Sequence, residues 1–217
     1  SPGQFYARTH LLGPESVVGY DPIHARPKFS FPAIDAPQWN NQVGWHFFVG
    51  NVTDTAGNHY GVQMMFWQYA LLPAAFARKH GLSEIENQVV EIHLAIGDES
   101  AGIHYSANTV LVAGTTGLID FTPAPYTYTV GRNSIQGTDP SGAMFPLRLQ
   151  ARGWDMGKNS GLEMEIDISL EDQKGYFLQG EDGCWPSVDG VGTLYYSASS
   201  LGLKTDTPSF LRIGDRK

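Results

Sequence analysis

Apolar residues fall on alternate positions along several short stretches of this chain, a period of two that suits strands and not helices. In residues 88–96, Val90, Ile92, Leu94 and Ile96 share one side, and Glu91 and His93 share the other. Residues 162–170 repeat the pattern more strictly, with Leu162, Met164, Ile166, Ile168 and Leu170 alternating against Glu163, Glu165 and Asp167. That acidic side is expected to face water. Residues 39–68 read as a hairpin: Trp45 to Val49 on one strand, an Asp54–Gly57 turn, then Tyr60 to Trp67 on the other. Here many intervening positions are apolar as well. Both faces are therefore expected to be covered, one by the core and one by a ligand or another layer.

Further strands are expected at 103–112, 117–131, 145–154, 176–179, 192–197 and 210–213, where Thr, Tyr and Val are frequent. Residues 132–142 read as a turn region. The best helix is 71–80, with Pro73 in its first turn and Gly81 as its stop. Residues 1–38, rich in Pro and poor in periodicity, read as an extended arm preceding a β domain at 39–217. The pattern predicts an all-β fold, an antiparallel barrel or sandwich of about ten strands with one short helix.

Composition narrows the function classes. Charged residues are 17% of the chain, with 25 Gly and 13 Pro, which suits β structure better than a helical bundle. The net charge of −8, with no basic patch, argues against nucleic acid. No apolar run approaches the ~20 residues of a spanning helix. The one cysteine, Cys184, rules out an internal disulfide or a cysteine zinc site. No metal site or cofactor motif is visible, nor a nucleophile elbow or phosphate loop. The compartment is not legible, with secreted or periplasmic ranked slightly ahead of cytoplasmic.

Several motifs follow one another in a recognisable order. They are the Trp45 strand, the Asp54–Gly57 turn and Tyr60-Gly61-Val62-Gln63-Met64-Met65-Phe66, then His93 to Asp98, His104-Tyr105, Gly153-Trp154-Asp155, Leu178-Gln179-Gly180 and Leu194-Tyr195-Tyr196-Ser197. Together they resemble the lipocalin-like family that includes hydroxyneurosporene synthase, kievitone hydratase and AttH-type proteins. Where that family carries Glu-Trp-Trp, this chain has Gly44-Trp45-His46. The resemblance implies a lipocalin-like β domain corresponding to the first of two halves. It also implies a second lipocalin-like domain or chain as partner, and a hydrophobic small molecule as ligand.

Candidate chemistry follows from residue type and strand face. Glu91 and His93, two apart, point the same way and form a possible acid–base pair. His46, between Trp45 and Phe47, is a third proton-transfer candidate. Gln63, Met65 and Trp67 alternate as pocket lining, and Trp45, Tyr105, Tyr195 and Tyr196 complete the expected substrate-binding set. The leading expectation, resting mainly on the resemblance, is a hydro-lyase that hydrates or dehydrates an isoprenoid-like substrate. Two alternatives stand beside it: a Diels–Alderase-type cyclase, and a non-catalytic carrier of a hydrophobic molecule.

Overall fold

The computed structural model describes residues 18–21, 23, 28–108, 111–158, 161–186, 192–198 and 201–216. Two antiparallel sheets pack face to face. The first holds β1 (Val43–Thr53), β2 (His59–Ala70), β3 (Gln88–Asp98) and β4 (Ile103–Asn108) in that order, with β5 (Val112–Ala113) also on β3. The second holds β6 (Ile119–Pro123), β7 (Tyr126–Val130), β8 (Asn133–Gly137), β9 (Leu147–Trp154) and β10 (Glu163–Asp172), ordered β10-β9-β8-β7-β6. Beyond β10, β15 (Leu201–Leu203) and β16 (Phe210–Ile213) both pair with it. Two small ribbons lie apart: β11 (Tyr176–Leu178) with β14 (Tyr196–Ala198), and β12 (Cys184–Pro186) with β13 (Gly192–Leu194). One helix, α1 (Ala74–Lys79), follows β2.

The sheets do not close into a barrel, so the fold is the sandwich form of the expected all-β class. Strand segments outnumber the ten or so expected. Residues 117–131 split at Ala124-Pro125 into β6 and β7. The expected turn at 132–142 contains β8. Its sequence, Asn-Ser-Ile-Gln-Gly, has one apolar residue and so carries no alternation to read.

One core joins both sheets, with Met64, Phe66, Ile92, Leu94 and Ile96 from the first meeting Tyr128, Leu149, Ala151, Met164 and Ile166 from the second. The even positions of β2 and β3 point inward and the odd ones outward. The layers approach most closely where β4 meets β9: a Cβ on Gly153 would lie 2.6 Å from the Ala107 Cβ. Asp155 ties the same corner by accepting the Ser106 N–H at 2.9 Å, and Met156 N–H donates to Ser106 O at 2.9 Å. The Gly-Trp-Asp motif is therefore a joint between sheets. The sandwich is pinned here and left open on the side of β1 and β15.

The acidic side of β10 departs from expectation. Glu165 and Asp167 are only 5% and 4% exposed, because arginines cover them. Arg148 grips Asp167 through two bonds of 2.7 and 2.8 Å, and Arg212 reaches Glu165 at 2.9 Å and Glu163 at 2.8 Å. Alternation reveals which residues share a face, but not that cations from neighbouring strands will roof it. Removing Arg212 leaves a covered carboxylate short of a partner. Arg212 is partly exposed and Arg152 remains on Glu165, so Arg212→Ala is expected to destabilise the fold, by less than the loss of one partner from a fully buried pair. Urea unfolding measures it, and an unchanged midpoint would show a dispensable surface pair.

Candidate functional site

Where the sheets part, a cavity of about 1120 Å³ opens between them. The inner faces of β1 and β2 supply Phe48 and Met64, and β9, β10 and β15 supply Leu149, Ile166, Ile168 and Leu201. Residues 28–39 fold across one side, and the β11–β14 ribbon contributes Tyr176 and Tyr196. The volume suits a ligand of drug or lipid size.

The polar part of the wall converges on Asp35. This residue sits in a short 3-10 turn (Ala33–Asp35) and is 1% exposed. Tyr176 donates to its Oδ2 and Tyr196 to its Oδ1, each at 2.8 Å. Tyr196 also lies 3.1 Å from Ile34 O. On the backbone side, His46 Nε2 lies 2.8 Å from Asp35 O, and Tyr126 donates to the same carbonyl at 3.0 Å. A carbonyl oxygen only accepts, so Nε2 carries the His46 proton and Nδ1 holds the lone pair.

Aromatic packing holds the two chain segments together. Phe31 stacks on Tyr176 with centroids 3.9 Å apart, and Phe29 meets Tyr196 edge-on at 5.3 Å. Gly183, with φ +86°, lies directly against the Phe29 ring, where a Cβ would collide with Cε2. A side chain larger than hydrogen would push the ribbon off the arm.

Burial sets the electrostatics. It raises the Asp35 carboxyl above the usual carboxylate range, and the two phenols pull it part of the way back. Burial also holds His46 neutral by lowering its pKa, opposed in part by its bond to the Asp35 carbonyl. Tyr176 and Tyr196 are pushed up, first by burial and then by the Asp35 charge, so both stay phenols. The cluster thus pairs a carboxyl disposed to hold a proton with a neutral imidazole that can take one, beside an apolar chamber. Among the described residues, no three His, Cys, Asp or Glu side chains converge as a metal site would need.

The residues singled out from the sequence separate into two groups. His46, Tyr195 and Tyr196 border the cavity. Trp45 and Gln63 reach its margin around the open edge of the first sheet, although Gln63 is exposed. Glu91, His93, Met65 and Trp67 instead lie on the outer face of that sheet, turned from the cavity. There Trp45 stacks on Trp67 at 5.3 Å, and His93 Nε2 lies 3.0 Å from Glu91 Oε1, off the line a hydrogen bond needs. Tyr105 belongs to the core, and its hydroxyl accepts from Arg216, which also pairs with Asp98. The His93–Asp98 and His104-Tyr105 motifs therefore contribute at least one structural tie.

Asp35, Tyr126 and Tyr176 are absent from the sequence-derived set. Asp35 had a local signal: it is the lone charge in Phe31-Pro32-Ala33-Ile34-Asp35-Ala36-Pro37, a setting that favours burial. Nothing local marks the two tyrosines. They reach Asp35 across 91 and 141 residues of sequence.

Comparison with known proteins agrees with this architecture. The AttH-like family model matches residues 22–207. The crystal structure of a protein assigned as an AttH from Nitrosomonas europaea superposes with a TM-score of 0.57 at 15% identity. That likeness covers 76% of this chain and 45% of the other, so this chain spans less than half the length of that protein. None of the curated proteins matches. With the model matching most of its length and the sandwich shared with a solved relative, the chain belongs to the AttH-like family.

Proposed function

We propose that this chain is a hydro-lyase acting on an apolar, isoprenoid-like molecule held in the cavity, with Asp35 and His46 as its acid and base. The observation that carries the reading is a buried carboxyl with a raised pKa, bracketed by two phenols at 2.8 Å, in the wall of an apolar chamber.

The protonated Asp35 would donate its O–H to one phenol oxygen. That phenol's own O–H, released from the carboxylate, then turns into the cavity and bonds the substrate hydroxyl. Proton transfer along this relay lets the C–O bond break, with its electron pair leaving on oxygen as water. The carbon left behind is a tertiary cation, which nearby aromatic faces stabilise. His46 Nδ1 or the Asp35 carboxylate then takes a proton from the adjacent carbon, and that C–H pair becomes the alkene. Hydration is the reverse.

Nerolidol, a tertiary allylic alcohol, provides the test in heavy-oxygen water. Reversible dehydration exchanges its oxygen with solvent, and mass spectrometry reads the exchange. Wild type is expected to exchange, and Asp35→Asn to lose at least about 100-fold, the scale of a lost general acid. His93→Gln and Glu91→Gln are expected to exchange at nearly the wild-type rate, because both residues face away from the cavity. If those two variants lose exchange while Asp35→Asn keeps it, the chemistry belongs to the outer face. Binding of nerolidol without exchange in wild type would make the chain a carrier.

A further inference from the structure

We infer that the ligand is a non-ionised lipid presenting a hydroxyl to the Asp35 cluster, and that carboxylates, phosphates and ammonium ions are turned away. This rests on the cavity being the ligand site and specifies what that site accepts.

The argument is a count of donors. The O–H of Tyr176 and that of Tyr196 are both spent on the Asp35 carboxylate. The Tyr126 O–H and the His46 Nε2–H are spent on the Asp35 carbonyl. Gln38 gives its amide to two backbone carbonyls, and Gln68, nearly fully buried, gives its own to Gln38 O. While Asp35 is ionised and both phenols donate to it, what this corner of the wall still offers is acceptors: lone pairs on the Tyr176 and Tyr196 oxygens, and His46 Nδ1. The relay frees a phenol O–H only once Asp35 takes up a proton. A group that docks at this corner while Asp35 is ionised must therefore donate.

Charge narrows the choice further. Among the described residues lining the cavity, none is Lys or Arg. A carboxylate or phosphate would lose its water without gaining a cation, a cost that an apolar chamber does not return. An ammonium could donate, but both carboxylate oxygens of Asp35 are already covered by phenols and the other lining carboxylate, Asp21, is exposed to water, so at the Asp35 corner it would be desolvated without touching a counter-charge. A neutral hydroxyl satisfies the free acceptors and carries no charge into the site. Within isoprenoid chemistry this selects free alcohols over prenyl diphosphates, and within lipids it selects fatty alcohols over fatty acids.

The test is displacement of N-phenylnaphthylamine, a neutral apolar fluorophore, by dodecanol, dodecylamine and laurate, which share a tail and differ in head group. Dodecanol is expected to displace it at a concentration at least about tenfold lower than either of the others. In His46→Phe and in Tyr196→Phe, each of which deletes one acceptor, that advantage should shrink by roughly threefold to tenfold. Circular dichroism identifies which of the two variants remains folded. Laurate or dodecylamine displacing as well as dodecanol overturns the inference while leaving the cavity a ligand site. Failure of all three to displace the fluorophore shows that the cavity is not such a site, and the inference falls with it.

Discussion

Replacing Asp35 by Ala is expected to cost about 2–4 kcal/mol of folding free energy and to strip the cavity of its acid. The figure comes from what is stranded. Tyr176 loses the Asp35 oxygen that accepts from its hydroxyl, whereas Tyr196 keeps Ile34 O at 3.1 Å. A buried donor left unsatisfied costs about 1–3 kcal/mol, and lost bonds to a charged partner add to it. The same change loosens residues 28–39 from the β11–β14 ribbon, since Asp35 accepts two of the hydrogen bonds between them and its loss leaves Tyr196 on Ile34 O. Asp35→Asn should behave differently. Its Oδ1 accepts from one phenol and its amide donates to the other phenol oxygen, so the arrangement survives. The expected cost near neutral pH is within ~1 kcal/mol, the worth of one ordinary hydrogen bond.

The two proteins should also diverge with pH. Burial raises the folded pKa of Asp35 above its unfolded value of about 3.9. Between those two values the folded state binds more protons than the unfolded state, so stability falls as pH rises. The Asp35 contribution is complete below the unfolded pKa and is lost as pH climbs through the folded one. Asn does not titrate. Wild type should therefore gain on Asp35→Asn as the solution is acidified and lose ground as it is made neutral. Urea unfolding of both proteins across that range measures the difference. A wild-type advantage that instead grows with rising pH would show that the phenols outweigh burial.

The second large effect is expected at the opposite corner of the sandwich. Gly153→Val should destabilise by roughly 3 kcal/mol and Gly153→Ala by about 2 kcal/mol, in the range of overpacked cores. A methyl on Gly153 would stand 2.6 Å from the Ala107 Cβ, whereas carbon atoms in contact prefer about 3.5–4.0 Å. Neither residue can swing away, because each sits on a paired strand held by the Ser106 bonds to Asp155 and Met156. The double variant Gly153→Ala with Ala107→Gly removes the collision, so it should recover most of the loss. Additive destabilisation in that cycle would place the fault elsewhere than this contact. Neither residue lines the cavity, so the protein that remains folded should keep its ligand affinity.

Strand periodicity was enough to place β1, β2, β3, β9 and β10, and to say which of their side chains share a face. That information is local, because neighbouring residues on a pleated strand alternate whatever they later pack against. The Asp54–Gly57 turn was equally plain: Asp54 Oδ1 accepts the N–H groups of Ala56 and Asn58, and Gly57 takes φ +89°. The helix was legible but shorter than expected, six residues in place of ten, because Pro73 precedes its first turn with extended backbone.

Which face of each strand would matter was decided only in three dimensions. Glu91 and His93 share a face as the alternation says, yet the second sheet packed on the other side and left them outside. The acids of β10 also share a face as expected, but arginines from β8, β9 and β16 and their flanks cover it. The carboxyl best placed for chemistry came from a proline-rich stretch with no periodicity at all. Asp35 became buried and bonded only when tyrosines 91, 141 and 161 residues away closed around it. A strand's two-residue period is encoded in adjacent side chains, whereas desolvation of one carboxyl depends on segments that meet only after the sheets have packed. The sequence alone determined the strands and their faces. The tertiary structure decided which face became a cavity and which acid it buried.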